Sequence, residues 1–510
     1  MLNHSYSSSH SRLPVLQKSF NLLQHYSFFI AAAALVIFEG YGITRQNWTG
    51  DFWDHAAVIK ALSEDLLHPS HPLIKADIPH AFFSPYALLV AAFAKIAHLN
   101  AIQALNYAAF FNLLFFLFAF YRFCAALFGK KRNGVATLSL LLMLFLWGKH
   151  PFGWSGFYHF IVLHYVLPYP STFAMALTFL ILSFMAKEQH PVWYNRKTPL
   201  IILLNAIVFL THPNTANILF IAILAMNFCW SHYSFKYAIL RSLILILPAV
   251  LLSLCWPYFN TFSLIFGNNY DFQITSKSLY HGVLRINWPL LLILPGLWAV
   301  KKDKTIYFFL LSLGIMTALF LLGYFTQVYG IARLIAGIML FGQFLIAYIA
   351  IQCLYEKPVL RGRLYLGMLG MALVAAVFLN HRVIGDNMHI TSGHVYGGYD
   401  FLRQLVKTDD VILSDRGSNS GIPAFNGKVV ASDKPAYWVE DMAARRKAVD
   451  AFFTGENPDS LRKAIIDQYD PDYIFLDYTR NTLQPATIQW LRSLGKVVYQ
   501  KGQLELISLP

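Results

Sequence analysis

Gly50-Asp51-Phe52-Trp53-Asp54-His55, continued by Ala56-Ala57-Val58-Ile59-Lys60-Ala61-Leu62, decides how this chain is read. The hexapeptide stands just past the first long apolar run, 27–43, so two carboxylates and an imidazole lie at a membrane–water boundary. Ionisable groups are expensive at that depth and persist where something uses them. An amphipathic run extends from this loop to about residue 67. The rest of the chain reads as a scaffold that holds a substrate against the loop.

Outward from this stretch, the chain is too apolar for a water-soluble domain: 57% of its 510 residues are hydrophobic and 13% charged. Repeated apolar runs of spanning length make it mainly α, a polytopic transmembrane helix bundle. The net charge of +14 does not point to nucleic acid, because Lys and Arg fall mainly in short loops between apolar runs, as membrane topology requires. Cys124, Cys229, Cys255 and Cys353 lie in or beside those runs and read as packing residues. No disulfide framework or metal-ligand spacing is visible.

Residues 1–26, rich in Ser and His, read as a disordered cytoplasmic tail. Two apolar stretches, 83–97 and 104–128, precede the basic cluster Lys130-Lys131-Arg132. If both crossed, the cluster would lie outside, against the positive-inside tendency. The first has about fifteen residues and carries Lys95, short of the ~20 that a span needs, so it is placed as a juxtamembrane or re-entrant helix. Further spans are expected near 134–148, 169–186, 199–211, 214–230, 237–256, 288–300, 305–325, 331–353 and 364–380. The total is about eleven spans, amino terminus inside and carboxyl terminus outside. Residues 27–380 then form the membrane domain, with 44–103 as its outer loop, and 381–510 a small extracytoplasmic α/β domain. In that domain 399–407, 459–468 and 486–494 read as helices, 411–414 and 473–476 as strands, and 496–508 as a hairpin turning near Gly502.

Asp51 and Asp54 are three residues apart. Asp54 either caps the helix that follows, as carboxylates do for free N–H groups, or acts as a general base or cation ligand; a positioned base contributes ~10²–10⁴-fold. Ser414-Asp415-Arg416-Gly417-Ser418 lacks a nucleophile elbow and reads as a loop after a strand. Arg445-Arg446-Lys447 reads as a solvated helix face or a contact with an anionic glycan or lipid.

Asp54-His55 through Leu62, with Pro79-His80-Ala81-Phe82-Phe83-Ser84-Pro85-Tyr86-Ala87-Leu88, resembles the first outer loop of the GT-C glycosyltransferases. In that superfamily an acidic residue follows the first span, an amphipathic helix lies along the membrane, and a proline-aromatic segment precedes the second span. Ile422-Pro423-Ala424-Phe425-Asn426-Gly427-Lys428 and Tyr469-Asp470-Pro471-Asp472-Tyr473-Ile474-Phe475 are similar to parts of their outer domain. The likeness covers nearly the whole chain in architecture and only short motifs in sequence. Many members carry Asp-Glu where this chain has Asp54-His55, which leaves Asp51 and Glu39 as candidates for the second acidic role.

The resemblance implies transfer of a sugar from a polyprenyl-phosphate donor to an envelope glycan, lipid or protein acceptor, with inversion at the anomeric carbon. Asp54 is the expected base, with Asp51 as its partner, or as the base itself if Asp54 only caps. Arg333, isolated near the outer end of a span, is the donor-phosphate candidate, since a guanidinium grips phosphate as a fork; the competing reading is an interfacial snorkelling Arg. His55, His80, Tyr86, His164, Tyr165 and His212 complete the substrate-binding set. The loop 149–170 holds His164 and Tyr165 among aromatics that stack on sugars and equally suit a membrane interface. No cofactor is read from the sequence; some members use a divalent cation, which the resemblance leaves open here, and the histidines lack the tight spacing of a dedicated metal site. The implied home is a bacterial inner membrane with the carboxyl-terminal domain in the periplasm. Two other classes stay open. A transporter or flippase of lipid-linked sugars would use the same groove and Arg but usually rests on internal repeats, and none is visible. A non-catalytic envelope assembly protein would use the loop acids merely as caps.

Overall fold

The computed structural model describes residues 12–46, 48–147, 152–188, 193–231, 234–266, 277–355, 360–388, 395–434, 437–481 and 483–510. The first helix, α1 (Arg12–Arg45), starts well before its apolar core. The tail expected to be disordered up to residue 26 is therefore helical from Arg12 onward; Pro14 falls in the first turn, where its missing N–H has no helical partner to lose. Residues 1–11 lie outside the described residues.

After α1 come α2 (Phe52–Glu64), α3 (Pro85–Ile96), α4 (Ala101–Phe128) and α5 (Arg132–Phe145). The order of contacts sets their directions. The Phe28 ring stacks on Tyr121, while the Phe110 ring lies 3.5 Å from where a Cβ on Gly40 would sit, so α4 runs antiparallel to α1. Ser27 bonds Thr137 at 2.7 Å, and Phe38 and Phe145 both meet Phe160, so α5 runs parallel to α1. The chain thus reverses at the turn Gly129–Lys131, where Gly129 has φ +53°. At 12 residues α3 spans only ~18 Å, too short to cross.

Among the described residues seven helical stretches are long and apolar enough to cross a membrane: Tyr26–Arg45, Ala101–Phe145 (α4 and α5 together, with the reversal between them), Pro213–Trp230, Phe235–Leu254, Lys304–Thr326, Tyr329–Tyr355 and Leu360–Arg382. The pair α6 (Phe160–Val166) and α7 (Pro170–Ala186), bent by 102°, makes an eighth if counted as one broken span. Pro85–Ile96, Thr198–Thr211 and Trp288–Ala299 are shorter apolar helices. The chain is a helical integral membrane protein. Its middle is Ile335–Tyr355, buried on every face from Ile335 to Cys353, as expected of a helix that is apolar all round. Phe344 on that helix meets the rings of Phe120, Phe123 and Phe179 at 4.9, 5.2 and 5.7 Å. No disulfide forms among the described residues; Cys124, Cys229 and Cys353 are buried and Cys255 is exposed.

The carboxyl-terminal part carries a five-stranded sheet of β1 (Val411–Leu413), β2 (Lys428–Val429), β3 (Tyr473–Asp477), β4 (Lys496–Lys501) and β5 (Leu504–Ser508), ordered β2-β1-β3-β5-β4. The first three strands are parallel, and β5 and β4 add antiparallel through a hairpin at Gly502, φ +59°. β2 and the helix Met442–Phe453 add to the elements expected from the sequence. This domain sits on the loop that opened the reading. Trp53, almost fully buried, meets Tyr396 edge-on at 4.9 Å and stacks on Phe425. Val429 N–H donates to the Leu73 carbonyl, and Lys428 Nζ donates to the His71 carbonyl at 2.6 Å and to Ser70 Oγ at 3.0 Å. Helix α2 is buried on nearly all sides because membrane helices cover one face and the outer domain the other.

Candidate active site

The site begins with how α2 is entered. Trp48 donates its indole N–H to Asn106 Oδ1 at 2.5 Å and stacks between Phe52 and His164. Gly50 then turns the chain at φ +63°, with the Tyr169 hydroxyl 3.5 Å from the position of a Cβ; a side chain there would be strained. Asp51 follows as the residue before the helix, and Asp54 lies in its first turn.

Either carboxylate could cap this helix, and neither does. The Asp51 side chain makes no capping bond, and both Asp54 oxygens are buried without a hydrogen-bond partner among the described residues. Buried polar groups are normally satisfied, so an unsatisfied carboxylate of 1% exposure needs an explanation beyond helix stability. The sequence offered capping as the alternative to chemistry, and the geometry removes it.

Lys434, from the carboxyl-terminal domain, completes the pair. Its Nζ contacts Asp51 Oδ1 directly and lies 3.8 Å from Asp54 Oδ2. Burial pushes Asp54 up to about 8, against the pull of Lys434 and with the help of the Asp51 charge. Burial works on Asp51 in the same direction, but Lys434, His55 and Arg333 outweigh it and hold its carboxyl below the ordinary range. The two acids therefore divide: one stays ionised and the other titrates near neutral pH. Burial lowers His55 to about 4, which leaves it neutral, with its ring against Phe82 and Tyr169.

Arg333 precedes the central helix and is buried. One guanidinium nitrogen donates to the Ser155 carbonyl and to Ser155 Oγ, and the group lies 5.3 Å from the Trp154 ring and 5.7 Å from the Tyr329 ring. It is held in an aromatic cage rather than extended to the interface as a snorkelling Arg would be. Its charge acts on Asp51 and on His212. His212 ends the helix Thr198–Thr211 and caps the next, its Nδ1 accepting from the Thr215 N–H and bonding Thr215 Oγ1. Burial, then the charge of Arg333, keep it neutral. Arg333 is thus near enough for its charge to reach Asp51 and His212, and Asp54 joins them through Asp51 and Lys434.

The other expected residues are placed differently. His80 is buried beside this group, edge-on to Phe82, with Nδ1 accepting from the Phe82 N–H and its ring 5.0 Å from His71. Tyr86 is further away in function: it donates to the Pro168 carbonyl at 2.7 Å and accepts from Asn112, and so fastens α3 to the bend before α7. His164 and Tyr165 lie on the far side of Trp48. His164 Nδ1 is 3.3 Å from the fully buried Glu39, and Tyr165 packs edge-on to His164. Glu39 is accordingly paired there, and the acid beside Asp54 is Asp51.

Two basic residues are corrected. Arg445 and Arg446 do not form a solvated face. Arg446 donates to the carbonyls of Ser432 (2.7 Å) and Lys434 (2.9 Å), and Arg445 to that of Val430, because the helix Met442–Phe453 folds back over this strand end. Lys447 alone of the three is exposed. Asp415 caps the helix Arg416–Asn419 through the Ser418 N–H and hydroxyl, which accounts for that motif structurally. Lys434 itself was not singled out from the sequence: Ser432-Asp433-Lys434 reads as an ordinary turn, and its partner is 383 residues away.

No group of three or more His, Cys, Asp or Glu side chains suited to a metal ion occurs among the described residues. The carboxylate pair does not fit a divalent ion, since an ammonium lies against one oxygen and within 4 Å of the other. An open cleft of about 590 Å³ runs beside the site, lined by Pro79, Trp256, Tyr258, Phe259 and Asn260 among others, and includes none of the charged residues.

With this arrangement of apolar helices, acidic loop and α/β domain packed on it, the chain has the GT-C glycosyltransferase fold. Among solved structures it resembles the apo form of the Archaeoglobus fulgidus oligosaccharyltransferase, with a TM-score of 0.52 and 13% identity over 89% of this chain and 70% of that one. It also resembles ArnT from Cupriavidus metallidurans bound to undecaprenyl phosphate, with a TM-score of 0.50 and 13% identity over 95% of this chain and 98% of that one. No family model and no curated protein matches the sequence. At this identity the likeness establishes the fold, and the roles of residues rest on their geometry.

Proposed function

We propose that the protein transfers a sugar from a polyprenyl-phosphate donor to an acceptor hydroxyl or amide outside a bacterial inner membrane, with inversion at the anomeric carbon. The Lys and Arg bias of the loops supports an orientation with the amino terminus inside and with α2 and the sheet domain on the periplasmic side. Asp54 takes the acceptor proton as the acceptor atom bonds to the anomeric carbon. The carbon–oxygen bond to the phosphate breaks on the opposite face, and its electron pair leaves with polyprenyl phosphate. Arg333 steadies the charge that develops there, a contribution preorganised cations make in water-poor sites. Asp51 stays ionised and keeps Lys434 in place. Neutral His55 and His212 line the approach.

The observation that carries this reading is the uncapped carboxylate pair at the start of α2, sharing a neighbourhood with a caged intramembrane guanidinium. Neither a scaffold nor a simple cap requires that combination. The test is release of polyprenyl phosphate by the purified full-length protein from a panel of labelled polyprenyl-phosphate sugars, each with several acceptors. Asp54→Asn is expected to lower release by at least ~100-fold while the protein stays folded. Full turnover in Asp54→Asn, or passage of intact lipid-linked sugar across a bilayer without bond cleavage, would overturn the reading.

A further inference from the structure

We propose that Lys434 is the resident cation of this site, holding the place between Asp51 and Asp54 that a divalent ion would take. The idea rests on the glycosyl-transfer reading for the presence of a phosphate nearby, but the cation's own placement stands without it.

Lys434 is not a surface lysine that happens to meet an acid. Its loop is framed from behind by Arg446, which spends donors on the carbonyls of Ser432 and Lys434, and by Arg445 on Val430. The Lys434 N–H donates to Ser432 Oγ. The neighbouring acid of its own loop, Asp433, is drawn off by Arg416 at 2.5 Å, and Arg416 also reaches Asp450. The ammonium thereby makes its ion pairs with Asp51 and Asp54, while Asp433 adds its charge from the same loop and His55 lies close by.

A divalent ion between two carboxylates draws them together, offsets their repulsion and presents positive charge to an incoming phosphate. The ammonium donates to Asp51, offsets the charge of Asp54 across 3.8 Å, and presents positive charge to a phosphate. A metal needs several oxygen or nitrogen donors at ~2.0–2.6 Å. With Nζ against Asp51 and 3.8 Å from Asp54, the carboxylates cannot supply them, and a second cation would meet direct repulsion. The outer domain thus contributes charge to the membrane domain's site.

Manganese binding, followed by electron paramagnetic resonance on the full-length protein, decides the matter. Wild type should bind Mn²⁺ no better than the Asp51→Asn/Asp54→Asn double variant. Lys434→Gln should bind at least tenfold more tightly than wild type, and the gain should vanish when the two Asn substitutions are added. Mn²⁺ binding by wild type that depends on Asp51 and Asp54, or a folded Lys434→Gln with no gain, would overturn the proposal. Should Lys434→Gln not fold, the comparison of wild type with the double variant decides alone. In turnover assays wild type should be indifferent to a chelator, and inhibition by the chelator would equally refute the idea. Absence of turnover from every donor would count against glycosyl transfer, whereas the Mn²⁺ result would still judge Lys434.

Discussion

Asp54→Asn should stabilise the folded protein, and by more as the pH rises. The carboxyl group, ordinarily near 3.8, is lifted to about 8 by burial, with Lys434 opposing and Asp51 assisting. A folded-state value above the unfolded one favours the folded state fully below about pH 4, and that contribution is lost as pH climbs through about 8. A rise of about four units at ~1.4 kcal/mol each corresponds to on the order of 5 kcal/mol carried against folding by the charged form. Local relaxation and water entry reduce such penalties, so a pH-dependent gain of about 2 kcal/mol or more is expected for the neutral amide. Thermal unfolding of wild type and variant in the same detergent at pH 5, 7 and 9 reads it directly. The difference between them should widen toward pH 9. A constant difference, or a wild type that gains on the variant as pH rises, would refute the claim that Asp54 is a desolvated, titrating carboxylate.

The same pair makes a kinetic prediction. Turnover should rise with pH through a midpoint near 8, because the base works deprotonated, and Asp51→Asn should move that midpoint down by removing a negative neighbour and freeing Lys434 for Asp54. A pH–rate profile in which Asp51→Asn leaves the midpoint in place would break the assignment. Arg446→Met, which loosens the loop behind Lys434, should lower turnover ~10-fold and raise the midpoint, a shift that a purely structural defect would not produce. Gly421→Ala would set a Cβ 2.5 Å from the Tyr396 ring, which packs on Trp53, so a loss of about 1–3 kcal/mol and faster proteolysis of the outer domain are expected. Unchanged protease resistance would show that this ring does not hold the domain on α2.

Sequence carried the helical scaffold because apolar runs and the charges between them are local signals, and α3, α7, β1, β3 and the β4–β5 hairpin fall where those signals place them. The early start of α1 escaped because the Ser- and His-rich composition of 1–26 outweighed the apolar residues at helical spacing, Leu13, Leu16, Phe20 and Leu23. Asp51, Asp54 and Arg333 stood out as candidates because charge is conspicuous beside so much hydrocarbon. Tyr86 was misleading for the same reason that aromatics at interfaces always are: composition does not tell which way a ring points, and buried Asn112 decides it. Lys434 was beyond reach, since its meaning depends on a domain folding back over 383 residues of chain and on two arginines that look like surface charge in sequence.

The central claim is one of place: a donor phosphate caged by Arg333 within reach of Asp54. A structure of the full-length protein with polyprenyl phosphate bound tests it most directly. The phosphate should lie against the Arg333 guanidinium, displacing its bond to Ser155, on the same side of the membrane as Asp51, Asp54 and Lys434. A phosphate seated at the opposite membrane face, or one that leaves Arg333 closed on Ser155, would contradict the account.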